Sequence, residues 1–133
     1  MLIGCGGKTL KTDDEGKQTL APCGLTPNCV SSYSKPGARS IEPFLIESSA
    51  VESMQKIKNI IDAMAGATVV QEDPLYLHAE FKSKLFGFVD DVEFLADDKV
   101  GKIHVRSASR VGFSDLGVNR RRVEDIRSQY ERK

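Results

Sequence analysis

The fold is decided by residues 76–122, YLHAEFKSKLFGFVDDVEFLADDKVGKIHVRSASRVGFSDLGVNRRR. Apolar and polar residues alternate in three parts of this stretch, at residues 77–82, 88–95 and 103–110. A period of two is typical of a β-strand with one apolar face. Gly87 and residues 97–101 supply turns between the three parts. The stretch therefore predicts three antiparallel strands that are neighbours in one sheet.

The predicted strands have one apolar face and one charged face. The apolar face carries Leu77, Ala79, Phe81, Val92, Phe94, Ile103 and Val105. The charged face carries Glu80, Lys82, Asp91, Glu93, Arg106 and Arg110. Opposite charges on adjacent strands stabilise a sheet by only about 0.2–1 kcal/mol per pair. We therefore expect the charged face to be a solvated surface whose charges balance.

Asp90 is the exception to the alternation, because it falls on the apolar side of its strand. A buried carboxylate must be paired or hydrogen-bonded. The expected partner is Arg106, Arg110 or Arg120, or the backbone N–H groups of residues 112–117.

Two helices accompany the strands. Apolar residues at three- and four-residue steps predict one helix over about residues 50–65, capped by Ser48 or Ser49 and ended by Gly66, and a second over about residues 118–130. Residues 68–71 begin the sheet. The sequence thus predicts a single α+β domain over residues 21–133, with about four antiparallel strands and both helices packed on one face of the sheet.

The composition is that of an ordinary globular protein. The formal net charge is zero and the isoelectric point is about 6.7. A balanced charge gives no electrostatic basis for binding nucleic acid, so no nucleic-acid partner is predicted.

Residues 1–20 contain a lipobox-like N-terminus and a polar segment. Leu2-Ile3-Gly4-Cys5 resembles a bacterial lipobox, although the basic and apolar regions of a signal peptide do not precede it. Residues 6–20 are polar and predict a flexible tether. The prediction is a lipid on Cys5 that anchors a periplasm-facing lipoprotein to a membrane of the bacterial cell envelope. The alternative is a disordered tail with an incidental cysteine.

Cys23 and Cys29 lie in a loop rich in proline, glycine and asparagine. A disulfide fits an oxidising compartment and is the prediction. A zinc site would need His78 and His104 as further ligands, and the cysteine spacing is longer than in a zinc knuckle. A catalytic thiol would need a base, and no histidine is near in sequence. Neither a metal nor a cofactor is predicted.

Arginines occupy the first turn of the second predicted helix, at residues 120–122. The positive end of the helix dipole disfavours cations there by about 0.3–1 kcal/mol each. A bound anion would offset this cost, so we expect an anion-binding site formed by Arg106, Arg110, Asn119 and Arg120. The alternative is internal pairing with Asp91, Glu93 and Asp115, which together with Asp90 are predicted to be structural residues.

Several ordered blocks of the sequence together resemble a known family. The blocks are PC (22–23), PNCVSS (27–32), IEP (41–43), FGFVDDVEF (86–94), VRSASRVG (105–112) and SDLGVNR (114–120). They closely resemble the bacterial and plastid family called domain of unknown function 1499, over about residues 20–130. The resemblance implies a domain associated with the envelope or an organelle, and it implies no activity.

The sequence leaves three hypotheses about function. The leading one is a non-catalytic envelope domain that binds a small anionic or lipid-like ligand, or a protein partner. The second is an enzyme that uses Asp90, Asp91 and Glu93 as acid/base groups, with Arg106 and Arg110 holding the substrate. The third is a purely structural interaction protein.

Overall fold

The computed structural model describes residues 7–25, 28–83, 87–111 and 117–132. Two helices and eight strands follow one another along these residues, and the predicted α+β class is confirmed. In chain order the elements are β1 (Lys11–Thr12), β2 (Gln18–Thr19), β3 (Cys29–Ser31), β4 (Phe44–Leu45), α1 (Ala50–Asp62), β5 (Ala67–Asp73), β6 (Tyr76–Lys82), β7 (Val89–Asp97), β8 (Lys102–Ser109) and α2 (Val118–Glu131).

The main sheet has six strands, so the prediction of about four was too low. Its order is β3-β8-β7-β6-β5, and β4 also pairs with β8. All of these strand pairs are antiparallel. The extra strands β3 and β4 have only three and two residues. Segments this short show no alternation, and they are strands because β8 pairs with both of them.

Both helices pack on the apolar face of the sheet, as predicted. One core cluster joins the apolar residues of β6, β7 and β8 with those of α1 and α2, including Ile57, Phe94 and Ile126. Helix α1 begins after Ser49, whose side chain accepts a hydrogen bond from the N–H of Glu52. Neither described helix has the length and apolarity that crossing a membrane requires.

The opposite face of the sheet is covered by residues 7–20, here called the N-terminal strap. Its strands β1 and β2 form a two-stranded hairpin, and Asp13 accepts hydrogen bonds from the N–H groups of Glu15 and Lys17 in the turn. Leu20 is buried in a second apolar cluster with Tyr76 and Leu95. The strap therefore lies along the domain in this structure, where the sequence predicts a flexible tether.

This cover changes the character of the charged face. The expectation of a solvated face is wrong for its centre, where Asp91 and Glu93 are 2% and 0% exposed. The alternation correctly separates the two faces, but it does not show that a distant segment covers the polar one.

Cys23 and Cys29 form the predicted disulfide. The bond closes a loop of six sequence steps, which in the loop-entropy view stabilises the fold by about 2 kcal/mol. We expect dithiothreitol to lower the free energy of unfolding by about this amount, measured by urea denaturation. A Cys23→Ala/Cys29→Ala variant should be as unstable as the reduced protein, whether or not the reductant is present. Equal stability of the oxidised and reduced protein would contradict the prediction.

Candidate functional site

Asp91 lies at the centre of a buried polar layer between the sheet and the strap. Its carboxylate accepts hydrogen bonds from the backbone N–H of Gly7 at 2.6 Å and from His78 Nε2 at 2.8 Å. Arg110 donates to both of its oxygens, at 2.8 and 3.0 Å, and also to Glu80 at 2.8 Å. Strands β6 and β7 bring these side chains together because the register places Glu80 opposite Asp91 and His78 opposite Glu93.

Glu93 lies two residues further along β7, on the same face of the sheet. It accepts hydrogen bonds from the N–H and the hydroxyl of Thr9, at 2.7 and 2.6 Å, and from the hydroxyl of Tyr76 at 2.6 Å. Each carboxylate of the pair Asp91 and Glu93 thus receives one backbone N–H of the strap. The two N–H groups come from alternate residues, Gly7 and Thr9.

Arg106 completes the layer from β8, where the register places it opposite Glu93. Its Nε atom is buried and has no hydrogen-bond partner among the described residues. Burial lowers the pKa of Arg106, while the charges of Glu93 and Asp91 act in the opposite direction. A buried donor without an acceptor is unfavourable, so this part of the layer is imperfectly satisfied.

The layer also shifts the pKa values of Asp91 and Tyr76. Burial alone would raise the pKa of Asp91, but hydrogen bonds from His78 and Arg110, the charge of Arg110 and the N–H of Gly7 bring it well below the usual range. Burial, followed by the hydrogen bond to Glu93, raises the pKa of Tyr76. At neutral pH the layer therefore contains an ionised Asp91 and a neutral Tyr76 whose hydroxyl donates a hydrogen bond to Glu93.

The lowered pKa of Asp91 predicts a loss of stability in acid. The folded state binds this proton less readily than the unfolded state, so the stabilisation is complete above about pH 4 and is lost as the pH falls toward the folded pKa. We expect Asp91→Asn to be less stable than the parent protein at pH 7, and to lose less stability between pH 7 and pH 3. Urea denaturation at several pH values measures both effects.

Asp98→Asn is the control for this prediction, because Asp98 is an exposed turn residue. It reports the effect of an aspartate-to-asparagine change away from the layer. If Asp91→Asn has the same acid dependence as the parent protein, the layer does not depend on an ionised Asp91.

One group in the layer has the composition of a metal site. Ligand atoms of His78, Glu80 and Asp91 all lie within 4.8 Å of one another. However, the guanidinium of Arg110 bonds to both carboxylates, so these oxygens already share one cation. A divalent ion would have to displace Arg110 from Asp91 and Glu80. The donor set therefore fits an internal ion-pair network better than a metal centre.

Asp90 lies on the helix side of the sheet, where the alternation places it. Its partner is Arg122, at 2.8 Å, rather than any of the three predicted arginines. Arg122 also donates to Asn119 at 3.0 Å and lies 4.7 Å from the centre of the Phe81 ring. Residues 112–116, which contain most of the loop predicted as an alternative partner, are outside the described residues.

The four residues of the predicted anion site do not converge. Arg106 and Arg110 belong to the layer beneath the strap, whereas Asn119 is buried on the helix side, where it bonds to Ser107 and Ser109. Arg120 donates to the carbonyls of residues 38 and 40, and it lines a groove of about 710 Å³ between residues 32–43 and α2. These carbonyl acceptors offset the electrostatic cost of placing the Arg120 cation at the start of α2. The predicted residues Asp115 and Cys5 lie outside the described residues.

Sequence reasoning missed His78, Tyr76 and the strap residues as members of the layer. His78 has a signal in its position, because it shares a strand face with Glu80 and is two residues from Tyr76. Gly7 and Thr9 have none, since their contacts lie 84 residues away. Leu20 gives a weak signal, as an apolar residue that ends an otherwise polar segment.

The comparison with known proteins gives one match. The family described as "Protein of unknown function (DUF1499)" matches residues 19–130. The match includes Tyr76, Asp91 and Glu93 but not Gly7 or Thr9. The chain matches no curated protein and no solved structure. Because the match covers most of the chain, and the ordered blocks of the sequence predict the same family, the chain belongs to the DUF1499 family of proteins of unknown function.

Proposed function

We propose that this protein is a non-catalytic binding module of the bacterial cell envelope, anchored to a membrane by a lipid on Cys5, and that it binds a protein partner on the polar face of its sheet. The observation that carries the proposal is the carboxylate pair Asp91 and Glu93. Both accept backbone N–H groups from the chain's own strap, at 2.6 and 2.7 Å. The face is thus equipped to recognise a main chain.

The charges favour a polypeptide over a small anion at this face. Arg110 is bonded to Asp91 and Glu80, and Arg106 lies beside Glu93. An anionic or lipid-like ligand would have to compete with Asp91 and Glu80 for Arg110, and it would meet the negative charge of Glu93 beside Arg106. A main-chain N–H group is a neutral donor, and a hydrogen bond from it to an ionised carboxylate is stronger than one between neutral groups.

The saturation of the carboxylates supports a non-catalytic role. Asp91 receives donors from three residues, and Glu93 receives three donors from two. An acid/base pair needs a carboxylate that can reach a substrate proton. Asp90, the third carboxylate of the enzyme hypothesis, is paired with Arg122 on the other side of the sheet.

The membrane anchor is tested by Cys5→Ser. In the protein's own bacterium, the unaltered protein should be labelled by a radioactive fatty acid and should sediment with membranes, and the variant should do neither. A variant that is still labelled, or that still sediments, would overturn the assignment of Cys5.

The partner is tested by photocrosslinking in living cells. A benzophenone amino acid at Thr68, an exposed residue whose β6 neighbour Glu80 is on the polar face, should give an adduct with a defined polypeptide. The same group at the exposed residue Ser128, on α2, is the control. An adduct at Thr68 alone supports the proposal. No adduct, or equal adducts at both positions, would contradict it.

A further inference from the structure

We infer that Asp91 and Glu93 form a receptor site for a polypeptide segment, and that residues 7–9 of the strap are an internal occupant that the partner's segment replaces. The inference deepens the proposed function and rests on it. The segment is defined by its chemistry. It presents the main-chain N–H groups of two residues that are separated by one other residue. The first of the two is glycine, and the other has a hydroxyl side chain.

The spacing of donors and acceptors carries the inference. In extended chain, side chains two residues apart project on the same side, so Asp91 and Glu93 stand side by side on β7. The N–H groups of Gly7 and Thr9 have the same two-residue spacing, and each meets one carboxylate. Because backbone groups make these bonds, another segment with the same spacing can make them as well.

The side chains of the occupant define which segments fit. Gly7 lies over the His78 ring, where an added Cβ atom would make an ordinary contact at 4.0 Å, and its φ of +106° is what favours glycine. The hydroxyl of Thr9 donates to Glu93 and accepts from the N–H of Ala21. A replacing segment should therefore have a glycine over His78 and serine or threonine over Glu93.

The unsatisfied Nε of Arg106 gives a replacing segment a contact that the strap does not make. Its buried Nε has no acceptor among the described residues while the strap is in place. A segment that places a carbonyl or carboxylate near this atom would satisfy a donor that the strap leaves unsatisfied. The extent of the family match agrees with a separable occupant, since it begins at residue 19 and contains Asp91, Glu93 and Arg106.

The test uses the acetylated peptide Gly-Lys-Thr-Leu-Lys-Thr, which reproduces residues 7–12. The variant Gly7→Pro/Thr9→Pro lacks both N–H donors, and proline cannot adopt the φ of Gly7, so its own strap cannot bind. We expect millimolar peptide to shift the backbone amide NMR signals of Tyr76, Asp91 and Glu93 in this variant. The unaltered chain should respond several-fold more weakly, because its own strap competes.

Two matched changes show whether the carboxylate pair is responsible. Adding Glu93→Gln to the proline variant should abolish the shifts, whereas adding Glu47→Gln, at an exposed carboxylate before α1, should not. A peptide with proline in place of its first threonine should be inactive. Absent shifts in the proline variant, or equal shifts with and without Glu93→Gln, would overturn the inference.

Hydrogen exchange on the unaltered chain keeps the test decisive if the proline variant does not fold. Excess peptide should speed the exchange of the Gly7 and Thr9 amides, and the proline-containing peptide should not. No acceleration would count against the inference. Peptide binding without a Thr68 adduct in cells would contradict only the proposed function, and an adduct without peptide binding would contradict only this inference.

Discussion

Asp90→Ala should lower the free energy of unfolding by about 3–5 kcal/mol, the usual cost of removing one partner from a buried ion pair. The side chains of Asp90 and Arg122 are only 12% and 13% exposed, and they meet at 2.8 Å. Without Asp90, the guanidinium keeps its hydrogen bond to Asn119 and its contact with the Phe81 ring, but its charge has lost its carboxylate partner. Urea denaturation at pH 7 measures the change.

The matched control is Asp62→Ala. Asp62 also forms a close ion pair, with Lys58 at 2.7 Å, but its side chain is 46% exposed on the surface of α1. An exposed pair of this kind contributes about 0.3–0.5 kcal/mol. If the two variants lose equal stability, the Asp90–Arg122 pair does not behave as a buried one.

Gly66→Ala should be the second most damaging change, at about 2–4 kcal/mol. Gly66 joins α1 to β5 with a φ of +78°, which disfavours any residue that has a Cβ atom. In addition, a Cβ atom there would lie 2.6 Å from the backbone carbonyl oxygen of Lys82. The N–H of Lys82 donates to the carbonyl of Gly66, so the two backbones cannot separate without loss of this bond.

Gly101→Ala separates the two causes. Gly101 also has a positive φ, of +69°, but nothing lies within 4 Å of the position of its Cβ atom. This variant should lose only the conformational part, about 1–2 kcal/mol. Thermal or urea denaturation of both variants measures the difference, and equal losses would show that the close approach to Lys82 is relieved at no cost.

The helices, the long strands and the helix-side core were predictable because each depends on a pattern within a short window. The steps between Val123, Ile126 and Tyr130 define α2, and the alternation through Leu77, Ala79 and Phe81 defines the core face of β6. These patterns reflect burial, which the local sequence must accommodate. The structure agrees with them in the type and order of the elements.

The sequence predicted an arginine partner for Asp90, but not that the partner is Arg122. The α2 stripe extends back by four residues from Val123 to Asn119, and Arg122 lies three residues beyond Asn119, next to the stripe. Arg120 is likewise three residues before Val123, so helical spacing does not distinguish Arg122 from Arg120. The helix dipole disfavours all three arginines of the first turn equally, so it does not indicate which face of the helix contacts Asp90.

The polar layer was not predictable as a buried site. A charged strand face has the same alternation whether water or another segment covers it, and the strap is polar except for a few residues such as Leu10 and Leu20. Its attachment depends on Tyr76 and Leu95 for apolar contacts and on Asp91 and Glu93 for hydrogen bonds. Only the assembled sheet brings these residues to one place.

The position of the strap in the chain has a consequence for the order of folding. Each of its two main-chain bonds to the carboxylate pair joins residues 84 positions apart, and contacts this distant form slowly because a large loop must close first. During synthesis from the N-terminus, the strap emerges 84 residues before its acceptors on β7. The strap is made before the residues that hold it, and it should therefore be among the last segments to reach its place.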